Sequence, residues 1–161
     1  VRARLENIVL IGMPGCGKST VARLLGAETG REVVECDAYI EQKAGKTIPE
    51  IFAEGGEQTF RRLETEALRE LGKRSGLILS TGGGCVTRSE NYPLLHQNGT
   101  IFWLLRSPWK LPSEGRPLSQ LESAEAMYAR REPMYRRFTD VKIDNEGAIE
   151  RAVAAIRRYM E

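Results

Sequence analysis

The sequence has almost nothing that would tie it to a membrane, a nucleic acid or an oxidising compartment. Its 161 residues contain no apolar run long enough to span a bilayer. No basic-then-apolar leader opens the chain, so no secretory signal is expected. An excess of one charge is missing too: 24 Lys and Arg stand against 22 Asp and Glu, mixed along the chain, for a net charge of +2. Binding to nucleic acid or to an anionic membrane needs a concentrated basic face, so neither is expected as a partner. Only three cysteines occur, Cys16, Cys36 and Cys85, widely spaced and without a CxxC pair. That argues against a disulfide frame and fits reduced thiols in a cytoplasmic protein. Aromatic residues make up only 7%. Repeats and low-complexity tracts are absent, and no heptad or extended apolar edge points to self-association, so a monomer is expected. What remains is an ordinary globular composition at a length that suits one domain over 1–161. The first residue is Val1 rather than methionine, which leaves open whether this domain belongs to a longer polypeptide.

The apolar pattern alternates short strands with helices. Ile8–Ile11, Val33–Cys36, Leu77–Leu79, Thr100–Leu105 and Val141–Ile143 read as strands. Ser19–Ala27, Ala38–Ala44, Glu57–Leu71, Met127–Arg137 and Ala148–Tyr159 read as helices, with a kink expected at Pro133. Such alternation gives an α/β fold, a three-layer α/β/α arrangement with a central five-stranded parallel sheet. Between residues 106 and 121 the periodicity disappears, and Pro108, Pro112, Gly115 and Pro117 crowd together. A segment of this kind inside a compact domain predicts a short lid.

Gly12-Met13-Pro14-Gly15-Cys16-Gly17-Lys18-Ser19 fits GxxxxGK[ST] at every fixed position, between a predicted strand and a predicted helix. The glycines let consecutive amides turn inward around phosphates without a Cβ in the way. Lys18 supplies a point charge to the terminal phosphates, Ser19 a hydroxyl for Mg²⁺, and the helix that starts there turns its positive end on the same anion. Gly12, Pro14, Gly15, Cys16, Gly17, Lys18, Ser19 and Thr20 are therefore expected to bind ATP with Mg²⁺. The motif alone does not separate kinases from GTPases, motor ATPases or nucleotide sensors.

The remaining motifs are Glu35-Cys36-Asp37, Ile51-Phe52, Gly55-Gly56-Glu57-Gln58-Thr59-Phe60-Arg61-Arg62-Leu63-Glu64, Ser80-Thr81-Gly82-Gly83-Gly84, Gly115-Arg116-Pro117-Leu118 and Arg131-Glu132-Pro133-Met134-Tyr135. In this order and combination the chain resembles the shikimate kinases over nearly its whole length. The resemblance implies a P-loop kinase fold with a lid near 106–121 and a substrate-binding helical segment near 37–64. It also implies transfer of the γ-phosphoryl group of ATP to the 3-hydroxyl of shikimate, in the route to aromatic amino acids.

By that resemblance Asp37 orients the attacking hydroxyl and takes its proton, although its position also suits an N-cap. Arg61 and Arg131 hold the substrate carboxylate, a task for which the planar guanidinium fork is suited, with Glu64 one turn from Arg61 to set its angle. The alternative is a solvated face of ordinary charge pairs. The amides of Gly82, Gly83 and Gly84 approach the substrate, Phe52 and Phe60 either wall its ring or fill the core, and Arg116 closes over the phosphates with Lys18.

Two features depart from the family pattern. Glu35 stands where an aspartate is usual near the metal, so Ser19 and Glu35 are the expected Mg²⁺ ligands, and the lid is several residues short. Cys16, near a helix N-terminus that lowers thiol pKa, is expected to alkylate faster than the other cysteines. The competing functions are a kinase of another polyol or sugar acid, such as gluconate, and a non-catalytic nucleotide-binding domain. The first has no evident use for both Arg61 and Arg131, and the second has no need to keep Lys18, Asp37 and Arg116.

Overall fold

A computed structural model describes residues 6–108 and 123–161. Residues 109–121 of the expected lid, Arg116 among them, lie outside the described residues. Five strands form one parallel sheet in the order β2–β3–β1–β4–β5, where β1 is Asn7–Ile11, β2 Glu32–Glu35, β3 Leu77–Ser80, β4 Gly99–Leu105 and β5 Val141–Asp144. Helices cover both faces: α1 (Lys18–Thr29), α2 (Cys36–Ala44), α3 (Ile48–Gly72), α4 (Asn91–His96), α5 (Ala124–Phe138) and α6 (Ile149–Met160).

Burial follows from this layering. Every residue of β1 is buried, and Ile8, Val9, Leu10 and Ile11 form the middle of the main core with Ile78, Leu79, Ile101 and Phe102 from the neighbouring strands. A central parallel strand has no solvent face, hence its unbroken apolar run. A second, smaller core holds Ile40, Ile51, Phe60 and Ala67 between α2 and α3. The two helices therefore form a shoulder beside the sheet.

The expected strands and the parallel sheet are present, with ends differing by a residue or two. Cys36, assigned to a strand by sequence, opens α2 instead. The largest difference is α3, which begins at Ile48 rather than Glu57. Its start is fixed by a reciprocal cap: the Thr47 hydroxyl accepts from the Glu50 amide at 3.3 Å, and the Glu50 carboxylate accepts from the Thr47 amide at 3.1 Å. The helix bends at Gly56, where φ is 74°. Side chains resist that left-handed region and glycine does not. Pro133 does not interrupt α5, which runs through it. Buried Met127, Arg131, Tyr135 and Phe138, spaced three and four apart, hold one face of the helix on both sides of the proline.

Candidate active site

In an open parallel sheet, ligands gather where the strands end at their carboxyl termini. The segments after β1, β2 and β3 carry the residues expected to act. After β1 the loop from Gly12 to Gly17 leads into α1, and Lys18 folds back over it. The Lys18 ammonium, 8% exposed, donates to the Gly12 carbonyl at 2.8 Å and the Met13 carbonyl at 3.0 Å. Ser19 and Thr20 follow on the exposed first turn of α1. The Ser19 hydroxyl donates to the Glu35 carboxylate at 2.8 Å, so the two expected metal ligands lie side by side. Two hard oxygen donors suit Mg²⁺, which takes few protein ligands and fills its octahedron with water and phosphate oxygens.

Asp37 lies in the first turn of α2, and the cap position belongs to Glu35, which makes no side-chain capping bond. The capping role open to Asp37 from sequence is therefore not the one it fills. Solvent reaches Asp37 from the open cleft, yet protein atoms crowd it on the other sides. Desolvation raises its pKa, against the pull of the Lys18 and Arg61 charges. A carboxylate so raised is, once ionised, a better base than a free one.

Arg61 and Arg131 are not solvated charges: they are 7% and 2% exposed. Arg61 donates to Glu64 at 2.9 Å and to Glu57 at 3.3 Å, both on its own helix. Of the two expected aromatic walls, Phe60 is buried in the smaller core. Phe52 is half-buried and stacks on it with 5.1 Å between ring centroids.

The glycine run ties these groups together. Thr81 fixes its start, with amide and hydroxyl both donating to the Leu10 carbonyl at 3.2 and 2.7 Å. Each glycine then faces a different part of the site. A Cβ on Gly82 would stand 2.7 Å from the Asp37 carboxylate and 3.0 Å from that of Glu64. One on Gly83 would stand 2.6 Å from the Pro14 ring, and one on Gly84 would collide with the Arg61 guanidinium. Three consecutive glycines are present because three consecutive side chains would fill the site.

Glu64 is 1% exposed, and its second carboxylate oxygen has no hydrogen-bond partner among the described residues. The ion pair with Arg61 favours the charged form, but burial works the other way and prevails, pushing its pKa up to about 7, with Asp37 adding to the rise. In the unfolded chain a glutamate titrates near 4.3, so the native state binds the extra proton between these values. Stability from this group is present at low pH and is lost as pH rises towards 7. The melting temperature is therefore expected to fall between pH 5 and pH 8, and Glu64→Gln is expected to flatten that slope. Calorimetry across this range that gives parallel profiles for the two proteins would contradict it.

Sequence reading missed Asn145, which follows β5. Its amide nitrogen donates to the Cys16 carbonyl at 2.7 Å and its backbone amide to Leu105 at 2.9 Å, bracing the phosphate loop against the sheet. Its position just past a strand's carboxyl end was the available signal. All three cysteines are buried. Cys16 is 1% exposed, with its sulfur against Gly12, and Cys36 and Cys85 are as enclosed. Burial raises the pKa of the latter two, and an enclosed Cys16 is withheld from reagents in this conformation.

Known proteins resemble this chain over most of its length. A family model for shikimate kinase matches residues 14–161. The shikimate kinase of Prochlorococcus marinus is 41% identical over 140 residues, 81% of this chain and 72% of that protein. The one from Clostridium beijerinckii is 40% identical over 161 residues, 96% of this chain and 95% of that protein. Among solved structures, a shikimate kinase from Acinetobacter baumannii in complex with shikimate superposes with a TM-score of 0.88 at 38% identity, covering 97% of this chain and 93% of the other. With a phosphate loop, a carboxylate, two buried arginines and a glycine turn in one cleft, and with relatives matching over this extent, the chain belongs to the shikimate kinase family.

Proposed function

We propose that this protein is the shikimate kinase its family membership indicates, transferring the γ-phosphoryl group of ATP to the 3-hydroxyl of shikimate to give ADP and shikimate 3-phosphate. The observation that carries the reading is the glycine turn after β3, where a Cβ on Gly82 would meet the Asp37 carboxylate and one on Gly84 the Arg61 guanidinium, with the Lys18 charge also acting on Asp37. A phosphate-binding charge and a candidate carboxylate clamp thus meet at a candidate base. The loop from Gly12 to Thr20 holds the nucleotide phosphates by its amides. Ser19 and Glu35 hold Mg²⁺, which, when bound, neutralises charge on the phosphate oxygens. Arg61 and Arg131 grip the acceptor carboxylate, Phe52 flanks its ring, and the amides of Gly82, Gly83 and Gly84 line its path. Asp37 takes the proton of the 3-hydroxyl as its oxygen bonds to the γ-phosphorus and the bond to ADP breaks. Lys18 stabilises the charge that spreads over the phosphoryl oxygens, and Arg116 joins it from the lid.

Two buried arginines in the site favour this reading over a kinase of a neutral polyol, which has no carboxylate for them to hold. Residues 1–161 act as one domain, the lid at 106–121 and the helical segment at 37–64 being parts of it. The working form is a cytoplasmic monomer. Among the described residues no helix is long and apolar enough to cross a membrane. The test is product analysis: phosphorus NMR of a reaction with MgATP and shikimate is expected to show a new ester at the 3-position. A phosphate ester elsewhere on the ring, or free phosphate alone, would refute the assignment.

A further inference from the structure

Tyr135 carries a hydroxyl into a place where phenylalanine would pack as well. Its side chain is fully buried, and its ring stacks on Trp103 with 5.7 Å between centroids and 26° between planes. A hydroxyl in such a seat costs about 1–3 kcal/mol if left unpaired, so its partners account for it. It donates to the Gly83 carbonyl at 2.6 Å, across 52 residues of sequence. One turn earlier on the same buried face of α5 is Arg131, whose positive charge acts on the phenolic oxygen. A phenol donates and accepts at once, so the bond to Gly83 leaves its lone pairs available to that guanidinium. Among the described residues the Arg131 Nε has no hydrogen-bond partner, which leaves the orientation of the guanidinium to contacts at its far end.

We propose that Tyr135 is a positioning residue for the acceptor: its hydroxyl, anchored on the Gly83 carbonyl, sets the angle at which the Arg131 fork meets the substrate carboxylate. Bidentate pairing depends on that angle, because two parallel bonds form only when the two planes align. The same hydroxyl fixes the middle of the glycine turn, so clamp and turn hold a constant separation. The proposal rests on the shikimate kinase activity proposed above.

Tyr135→Phe keeps the ring and its stack on Trp103 and removes only the hydroxyl. The KM for shikimate is expected to rise about tenfold, the loss of roughly one hydrogen bond to a charged group, with the KM for ATP and kcat within about twofold of wild type. A role confined to stability would lower the melting temperature without this split. In an Arg131→Ala background the same change is expected to add nothing to the KM for shikimate. Wild type that phosphorylates shikimate beside a Tyr135→Phe variant with unchanged KM would overturn the positioning role alone. An equal rise in the Arg131→Ala background would overturn it also, since the hydroxyl would then act elsewhere. Wild type that fails to phosphorylate shikimate would overturn the activity, and the positioning role with it.

Discussion

Asp37→Asn is expected to lower kcat by about 10²- to 10⁴-fold, the usual contribution of a positioned general base. The substitution keeps shape and hydrogen-bonding capacity and removes only the ability to take a proton. The fold has little stake in Asp37, which faces the cleft from the first turn of α2 and lies outside both cores. Its interaction with the helix dipole is worth about 1 kcal/mol at most. Normal melting, near-normal ATP affinity and a collapsed kcat therefore identify the loss as chemical. In the wild type the acid limb of the kcat/KM profile reports Asp37 ionisation in the free enzyme, and desolvation moves that limb upward from that of an ordinary aspartate. Steady-state kinetics that left kcat within tenfold of wild type would show that the proton leaves by another route.

Lys18→Ala is expected to lower kcat by about 10³-fold, the scale of removing a preorganised charge from a developing anion, and to weaken ATP binding as well. Two further consequences follow from its surroundings. The Gly12 and Met13 carbonyls each lose a hydrogen bond, so the loop itself loosens. Asp37 also loses the first of the charges that hold its pKa down. The acid limb of the residual activity is therefore expected to move to higher pH. A large fall in kcat with an unmoved limb would separate the phosphate role of Lys18 from any electrostatic link to Asp37.

The legible parts of the sequence were those with a repeated physical signal. β1 is buried on both faces and reads as an apolar run, and the phosphate loop has a fixed spacing because amides must converge on one anion. Family motifs located Asp37, Arg61, Arg131 and the glycine run, which the structure brings to one cleft. Residues whose work depends on a partner far away in the chain were harder to read. Tyr135 answers to Gly83 and Asn145 to Cys16, and nothing in the local pattern announces either pairing. The six residues of α4 are too few to show a helical period. The first turns of α3 were legible in principle, through Thr47 and Glu50 three residues apart, but the glycines at 55 and 56 divert attention to a break that is only a bend. The helix read across Pro133 is present, because packing on both sides of the proline outweighs its local preference.

The account turns on the acceptor, and ADP release with MgATP tests it most directly when shikimate is compared with quinate, gluconate and no acceptor. Rapid release with shikimate, at least about a hundredfold above gluconate and above no acceptor and faster than with quinate, is the predicted result, since a site that pairs a carboxylate and ring hydroxyls would reject an open-chain acid that leaves its buried polar groups unmatched. Equal release with gluconate, or ATP binding without shikimate-dependent release, would contradict it.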